Sequence, residues 1–86
     1  MTDPAAVAAR PADRSLLIVE DDKAFVARLA RALEARGFVV TTAETVADGL
    51  EQVEKRTPAF AVVDMRLGDG NGLDVISALK KRRPDA

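Results

Sequence analysis

One stretch constrains this chain more than any other: Phe60-Ala61-Val62-Val63-Asp64, followed by the glycine-rich Met65-Arg66-Leu67-Gly68-Asp69-Gly70-Asn71-Gly72. A short apolar run flanked by turn residues reads as a strand buried on both faces, the kind found in a parallel sheet covered by helices. In open α/β sheets the ligand crevice lies outside the carboxyl ends of the strands, which puts Asp64 at the expected site. An aspartate there is a metal ligand, a nucleophile or the cap of the next helix.

A similar run opens the domain. Ser15 to Val19 is a strand built on Leu16-Leu17-Ile18-Val19, and it ends in three acids, Glu20-Asp21-Asp22. The spacing then predicts a helix over Lys23 to Arg36, with Phe25, Leu29 and Leu33 on one face and Val26 and Ala30 beside them. Asp22 suits its N-cap, and Gly37 suits the left-handed position that ends many helices. Phe38 to Thr42 is a second, β-branched strand. Thr45 and Asp48 resemble a capping box with Asp in place of Glu. The helix they open runs to about Arg56, with Val46, Leu50 and Val53 as its buried stripe, and Pro58 ends the segment before the third strand. After the loop, Leu73, Ile76 and Leu79 mark a third helix that Pro84 terminates.

Residues 1–14, rich in Ala, Pro, Asp and Arg, read as a flexible leader ahead of a domain over 15–86. Asp3-Pro4 is a helix start signal, but Pro11 would stop so short a helix, which is marginal in water. The domain is thus β-α-β-α-β-α with short connections and no internal repeat. Right-handed crossovers are nearly obligatory, so the expected sheet is parallel. Strand order 2-1-3 brings Glu20, Asp21 and Asp64 together.

Composition narrows the chemistry available to that cluster. Eighty-six residues make one small domain, and 48% hydrophobic with 31% charged residues is a globular composition. A net charge of -1 argues against nucleic acid as a direct partner, since phosphate binding needs a concentrated basic face. The basic group Lys80-Lys81-Arg82-Arg83 falls where a helix ends, and the helix dipole accounts for it. With no cysteine and no histidine, zinc sites, disulfides and histidine-dependent triads are excluded. No apolar stretch approaches the roughly 20 residues of a membrane span, and no signal-peptide core is present. A cytoplasmic location without membrane contact is the expectation.

Like charges held within a few ångströms disfavour joint ionisation unless an opposite charge relieves them. A bound divalent cation would do so, and all-oxygen ligands favour Mg²⁺, Mn²⁺ or Ca²⁺ over softer metals. The plainer alternative has Asp21 or Asp22 capping a helix and Asp64 starting a turn; acids at the ends of two neighbouring strands weigh against it. Three motif alternatives fail. A dinucleotide fold wants G-x-G-x-x-G after the first strand, where this chain has acids. Phe60 to Asp64 could pass for a Walker B strand, but no P-loop accompanies it. Asp69-Gly70-Asn71-Gly72 suggests a calcium loop, yet Leu73 stands at the next ligand position.

Leu17-Ile18-Val19-Glu20-Asp21-Asp22, Val62-Val63-Asp64-Met65-Arg66-Leu67 and Gly72-Leu73 together resemble a response-regulator receiver domain of two-component signalling. The resemblance covers about Ser15 to Arg83. Within it, the Asp64 to Gly72 segment is most similar to the redox-responsive global regulators of proteobacteria. The resemblance implies a flavodoxin-like fold and a phosphoacceptor role for Asp64, with a sensor histidine kinase as donor. It implies Mg²⁺ or Mn²⁺ held by Glu20, Asp21, Asp64 and the backbone carbonyl of Arg66. It also implies a phosphoprotein that is not a turnover enzyme, with a DNA-binding output domain expected in the full-length protein.

Two departures stand out. Many receivers have proline four residues after the acceptor, where this chain has Gly68. The sequence also stops after the third helix, so the expected fold is a truncated receiver lacking the last two β-α units. The Thr/Ser and Lys that bind the phosphoryl group in the family would lie in those units, and impaired phosphorylation and switching are expected of this chain. In that arrangement the third strand becomes an apolar edge, and a homodimer is expected. The alternative reading is a non-catalytic, receiver-like interaction or dimerisation module. A small metal-dependent phosphohydrolase ranks below both, because its usual second aspartate is Arg66 here.

Overall fold

The computed structural model describes residues 13–86. The expected leader over 1–14, including its helix start signal at Asp3-Pro4, lies outside them apart from Asp13 and Arg14. In order, the elements are β1 (Ser15–Val19), α1 (Lys23–Ala35), β2 (Val39–Ala43), α2 (Val46–Lys55), β3 (Phe60–Val63), the two-residue strands β4 (Arg66–Leu67) and β5 (Gly70–Asn71), and α3 (Leu73–Arg82). The main sheet has order β2-β1-β3 and is parallel throughout, with Val19 level with Ala43 on one side and Val63 on the other. This is the expected flavodoxin-like arrangement.

Local chemistry sets the ends of α1. The Asp22 carboxylate accepts the Phe25 amide at 3.0 Å, capping the helix. At the other end Gly37 adopts φ +93°, a left-handed conformation that side-chain-bearing residues rarely take. The Gly37 amide then reaches the Glu34 carbonyl at 2.9 Å and the Phe38 amide reaches Leu33 at 3.1 Å. That pair of bonds is a Schellman closure.

Alternation along the strands divides the core. Leu17, Val19, Ala61 and Val63 face α2 and α3, where Val46, Val53, Val75 and Leu79 complete a single cluster. Leu16 and Ile18 point to the opposite face, the side of α1, and are also buried. The apolar run of β3 alone suggested burial on both faces, whereas the expected sheet order made it an apolar edge, and the structure bears out the edge. Phe60 is 36% and Val62 42% exposed, because β3 is an edge strand and α1 packs nearest β2, at the sheet's other edge. The core-facing stripe of α3 also differs from expectation. Val75 and Leu79 are buried, whereas Leu73 is exposed and Ile76 only half-buried.

The start of the described chain is tied to this framework. Asp13 accepts the Ser15 amide at 2.8 Å and pairs with Arg83 at 2.7 Å, joining the approach to β1 to the end of α3. The Ser15 hydrogen bonds and then Arg83 hold the Asp13 carboxyl down to about 2. Arg14 donates to the Arg36 carbonyl at 3.0 Å, and its guanidinium stacks 4.5 Å from the Phe38 ring centre. No helix among the described residues is long and apolar enough to cross a membrane.

Candidate functional site

Because Val19 and Val63 are in register, the next residue of each strand leaves the sheet at the same level. The Asp64 amide donates to the Val19 carbonyl and the Glu20 amide to the Ala43 carbonyl, both at 2.9 Å, so the backbone fixes where each acid emerges. Glu20, Asp21 and Asp64 each offer a carboxylate oxygen within 4.8 Å of the others. Asp21 is exposed, while Glu20 and Asp64 are half-buried. The fourth acid, Asp22, is committed to capping α1.

Backbone amides orient two of the three carboxylates. Asp64 Oδ1 accepts the Arg66 amide at 3.0 Å, and Glu20 Oε2 accepts the Asp21 amide at 2.9 Å. Beneath Asp64 the loop returns at Gly72, whose amide donates to the Met65 carbonyl at 3.2 Å. A Cβ at Gly72 would lie 2.1 Å from the Asp64 carbonyl oxygen and 2.7 Å from Val63 Cγ1, so only glycine fits. The Asn71 side chain accepts the Leu73 amide at 2.8 Å and so starts α3 directly behind the site.

The electrostatics show the strain of three acids in one place. A side-chain hydrogen bond with Asp64 pushes the Glu20 carboxyl up, with partial burial and the Asp64 charge adding to it. Asp64 is pushed down, first by the Arg66 amide and then by its bond with Glu20. Glu20 therefore holds a proton more readily than Asp64, as expected of neighbouring carboxylates. Hard oxygen donors converging in this way mark where a divalent cation fits, and the donor set suits Mg²⁺, Mn²⁺ or Ca²⁺. Among the described residues no lysine or arginine forms an ion pair with any of the three acids of this cluster. The fourth expected ligand, the Arg66 carbonyl, belongs to β4, which begins two residues after Asp64.

The loop after Asp64 has more order than its glycines suggested. β4 and β5 form a small antiparallel ladder, Arg66 opposite Asn71 and Leu67 opposite Gly70, and Leu67 is buried in the core. Asp69, in the turn, sends both carboxylate oxygens to the start of α2. Oδ1 accepts the Val46 amide at 2.9 Å and Oδ2 the Ala47 amide at 3.0 Å. These two bonds pull its carboxyl below the ordinary range. Thr45 caps the same helix through the Asp48 amide at 3.0 Å. The carboxylate that joins Thr45 at this helix start is thus Asp69, where the expected capping box gave that place to Asp48. Asp69 escaped sequence reading because its partners lie 22 and 23 residues away.

Comparison with known proteins gives a consistent picture. A family model described as the response regulator receiver domain matches residues 16–86. The chain is 61% identical over 74 residues to the photosynthetic apparatus regulatory protein RegA of Cereibacter sphaeroides, covering 86% of this chain and 40% of that protein. It is 62% identical over 73 residues to the acid tolerance regulatory protein ActR of Sinorhizobium medicae, covering 85% of this chain and 38% of that protein. It thus spans about two-fifths of the length of these curated relatives. Both are regulators of the kind to which the Asp64–Gly72 segment pointed. Among solved structures, it is similar to a response regulator protein from Burkholderia pseudomallei with a phosphorylated aspartic acid, calcium ion and citrate. That similarity has a TM-score of 0.78 at 35% identity, covering 86% of this chain and 44% of the other. A second similar structure is the MaeR response regulator bound to beryllium trifluoride, with a TM-score of 0.71 at 32% identity, covering 84% and 61%.

Proposed function

We propose a role that proceeds from membership: the chain belongs to the response regulator receiver domain family, and Asp64 is the residue that takes the phosphoryl group. The observation carrying this reading is the convergence of the Glu20, Asp21 and Asp64 oxygens within 4.8 Å at the carboxyl ends of adjacent strands. The donor is a sensor histidine kinase. An Asp64 carboxylate oxygen forms the new P–O bond as the P–N bond of the phosphohistidine breaks, and the imidazole nitrogen keeps the electron pair. The product is an acyl phosphate, formed once per signalling event, so the chain is a phosphoprotein and not a turnover enzyme.

Each residue has a share in that step. The Arg66 amide holds Asp64 Oδ1 and lowers the carboxyl's basicity, so the acceptor is ionised and has one oxygen fixed. Glu20, Asp21, Asp64 and the Arg66 carbonyl are the groups that would hold Mg²⁺ or Mn²⁺. When bound, the cation neutralises charge that accumulates during phosphoryl transfer. Protons compete with the cation for these carboxylates, so metal affinity should fall as the solution is acidified. The calcium ion and phosphorylated aspartic acid in the Burkholderia pseudomallei structure support this reading.

The output is regulation of transcription through a DNA-binding domain in the full-length protein, with this part making no direct nucleic-acid contact. The place of action is the cytoplasm, away from membranes. We also read the open β3 edge, with Phe60 and Val62 exposed, as the surface on which a second copy docks to form a homodimer.

Mn²⁺ titration followed by magnetic resonance tests the metal reading. Binding to the wild-type chain should be lost in Asp21→Asn together with Asp64→Asn, and the cation should raise the melting temperature of the wild type by linkage. Unchanged melting of a folded sample across a millimolar Mg²⁺ series would favour the alternative of a non-catalytic interaction module.

A further inference from the structure

We propose that Asp69 is a positioning residue for the Asp64 site, coupling it to the start of α2. The proposal deepens the phosphoacceptor reading and rests on it for its functional meaning. Asp69 stands five residues after Asp64, in the turn between β4 and β5. Both its oxygens are used, Oδ1 by the Val46 amide and Oδ2 by the Ala47 amide. Those amides belong to the first turn of α2, where the helix leaves them without internal partners and the dipole favours a negative charge. Thr45 does not duplicate this role, since it serves the Asp48 amide.

The other side of the hairpin reaches the acceptor. Arg66, opposite Asn71 in the ladder, donates its amide to Asp64 Oδ1 at 3.0 Å. A continuous path therefore runs from the α2 amides through Asp69 and β4 to the Asp64 carboxylate. The ladder has only two residue pairs and cannot hold its own position. Besides the Gly72–Met65 bond across its open end, its anchors are Leu67, buried in the core, and Asp69, whose bonds point in a fixed direction. Leu67 resists withdrawal of the hairpin, but an apolar contact does little to fix its rotation. Asp69 supplies that constraint, and the Arg66 peptide, with the amide that orients Asp64 on one side and the proposed metal carbonyl on the other, depends on it.

Two variants separate this role from simple helix capping. Asp69→Ala and Thr45→Ala each remove cap interactions from α2, but only the first releases the hairpin. Hydrogen exchange of the Arg66 amide, followed by NMR in the metal-free chain, should quicken about tenfold in Asp69→Ala and hold near the wild-type rate in Thr45→Ala. The Mn²⁺ dissociation constant should rise about tenfold in Asp69→Ala, the usual range for loss of a group that orients a metal ligand, and stay unchanged in Thr45→Ala. Asp69→Asn, which keeps one acceptor oxygen, should fall between wild type and Ala in both readouts, and it carries the test if the Ala variant fails to fold. Arg66 exchange unchanged in Asp69→Ala, or raised equally in Thr45→Ala, would overturn the proposal. A wild-type chain that binds no Mn²⁺ would count against the metal reading alone, and the Arg66 exchange would still decide the role of Asp69.

Discussion

The two faces of the sheet are built from alternate residues of the same strands, and they differ in how completely they are closed. On the α2–α3 face, Leu17, Val19, Val53 and Val75 have no exposure, and Leu79 has 4%. On the α1 face, Leu16 and Ile18 are equally buried, yet Phe60, Val62 and Phe25 remain 36–42% exposed. The central strand has a neighbour on either side and is buried on both faces. An edge strand has to find its cover in helices, and α1 packs nearest the opposite edge. The carboxylate site sits on the rim between these halves. Asp64 is fixed from the closed side through Gly72 and the β4–β5 hairpin, while Glu20 and Asp21 lead into the open side at α1.

Substitutions should read out that difference. The largest effect belongs to the closed face, where Leu79→Ala should cost about 2–5 kcal/mol in urea denaturation. Phe25→Ala on the open face should stay near about 0.5 kcal/mol, the scale of surface substitutions. Equal losses would break the contrast. Next is Gly72→Ala, whose new methyl group meets the Asp64 carbonyl and Val63. Overpacking of this kind typically costs about 1–3 kcal/mol. The shift falls on the Asp64 peptide, so metal affinity should drop even in molecules that stay folded; a calorimetric titration with full affinity would show that the loop adapts.

On the open side, Val62→Lys should leave monomer stability nearly unchanged while dissociating the proposed homodimer, as seen by light scattering across a concentration series. A dimer that survives would place the interface elsewhere. The smallest effect concerns the Asp13–Arg83 tie. Asp13 has a depressed carboxyl, about 2 against an ordinary 3.8, so its contribution is present above about pH 4 and is lost as pH falls toward 2. Asp13→Asn should flatten that part of the acid-unfolding curve, lowering stability above pH 5 slightly and leaving it close to wild type near pH 2. An equal loss near pH 2 would show that packing, and not charge, gives Asp13 its part in the fold.

The sequence made the frame legible because it depends on short-range signals. Apolar runs ending in acids gave strands, Asp22 and Gly37 gave the ends of α1, and the alternating β-α pattern gave a parallel sheet. The acids converge in space for the same reason, since Val19 and Val63 are in register. What escaped depends on contacts across the fold. The hairpin after Asp64 has strands of two residues, too short for a period to show, and its Leu67 is buried only by joining a core cluster drawn from distant elements. Asp69 has partners more than 20 residues away. In α3 the spacings Leu73–Ile76–Leu79 and Val75–Leu79 both describe an apolar stripe. In the structure it is Val75, three residues after the confined Gly72, that turns inward with Leu79. Burial of β3 could not be read from its own residues, since it depends on how many helices cover the sheet.

Phosphoryl transfer to Asp64 is the most direct test of the central claim. The chain would be incubated with acetyl phosphate, with and without Mg²⁺, and the adduct mapped by mass spectrometry alongside Asp64→Asn. The expected result is slow, Mg²⁺-dependent addition of one phosphoryl group on the peptide containing Asp64, released by hydroxylamine as an acyl phosphate and absent from the variant. Slowness is expected because no described lysine pairs with the site, and losing one charge-stabilising contact commonly costs about 2.7–4 kcal/mol in the transition state. Labelling that ignores the metal, or that persists on another acid when Asp64 is replaced, would contradict the assignment.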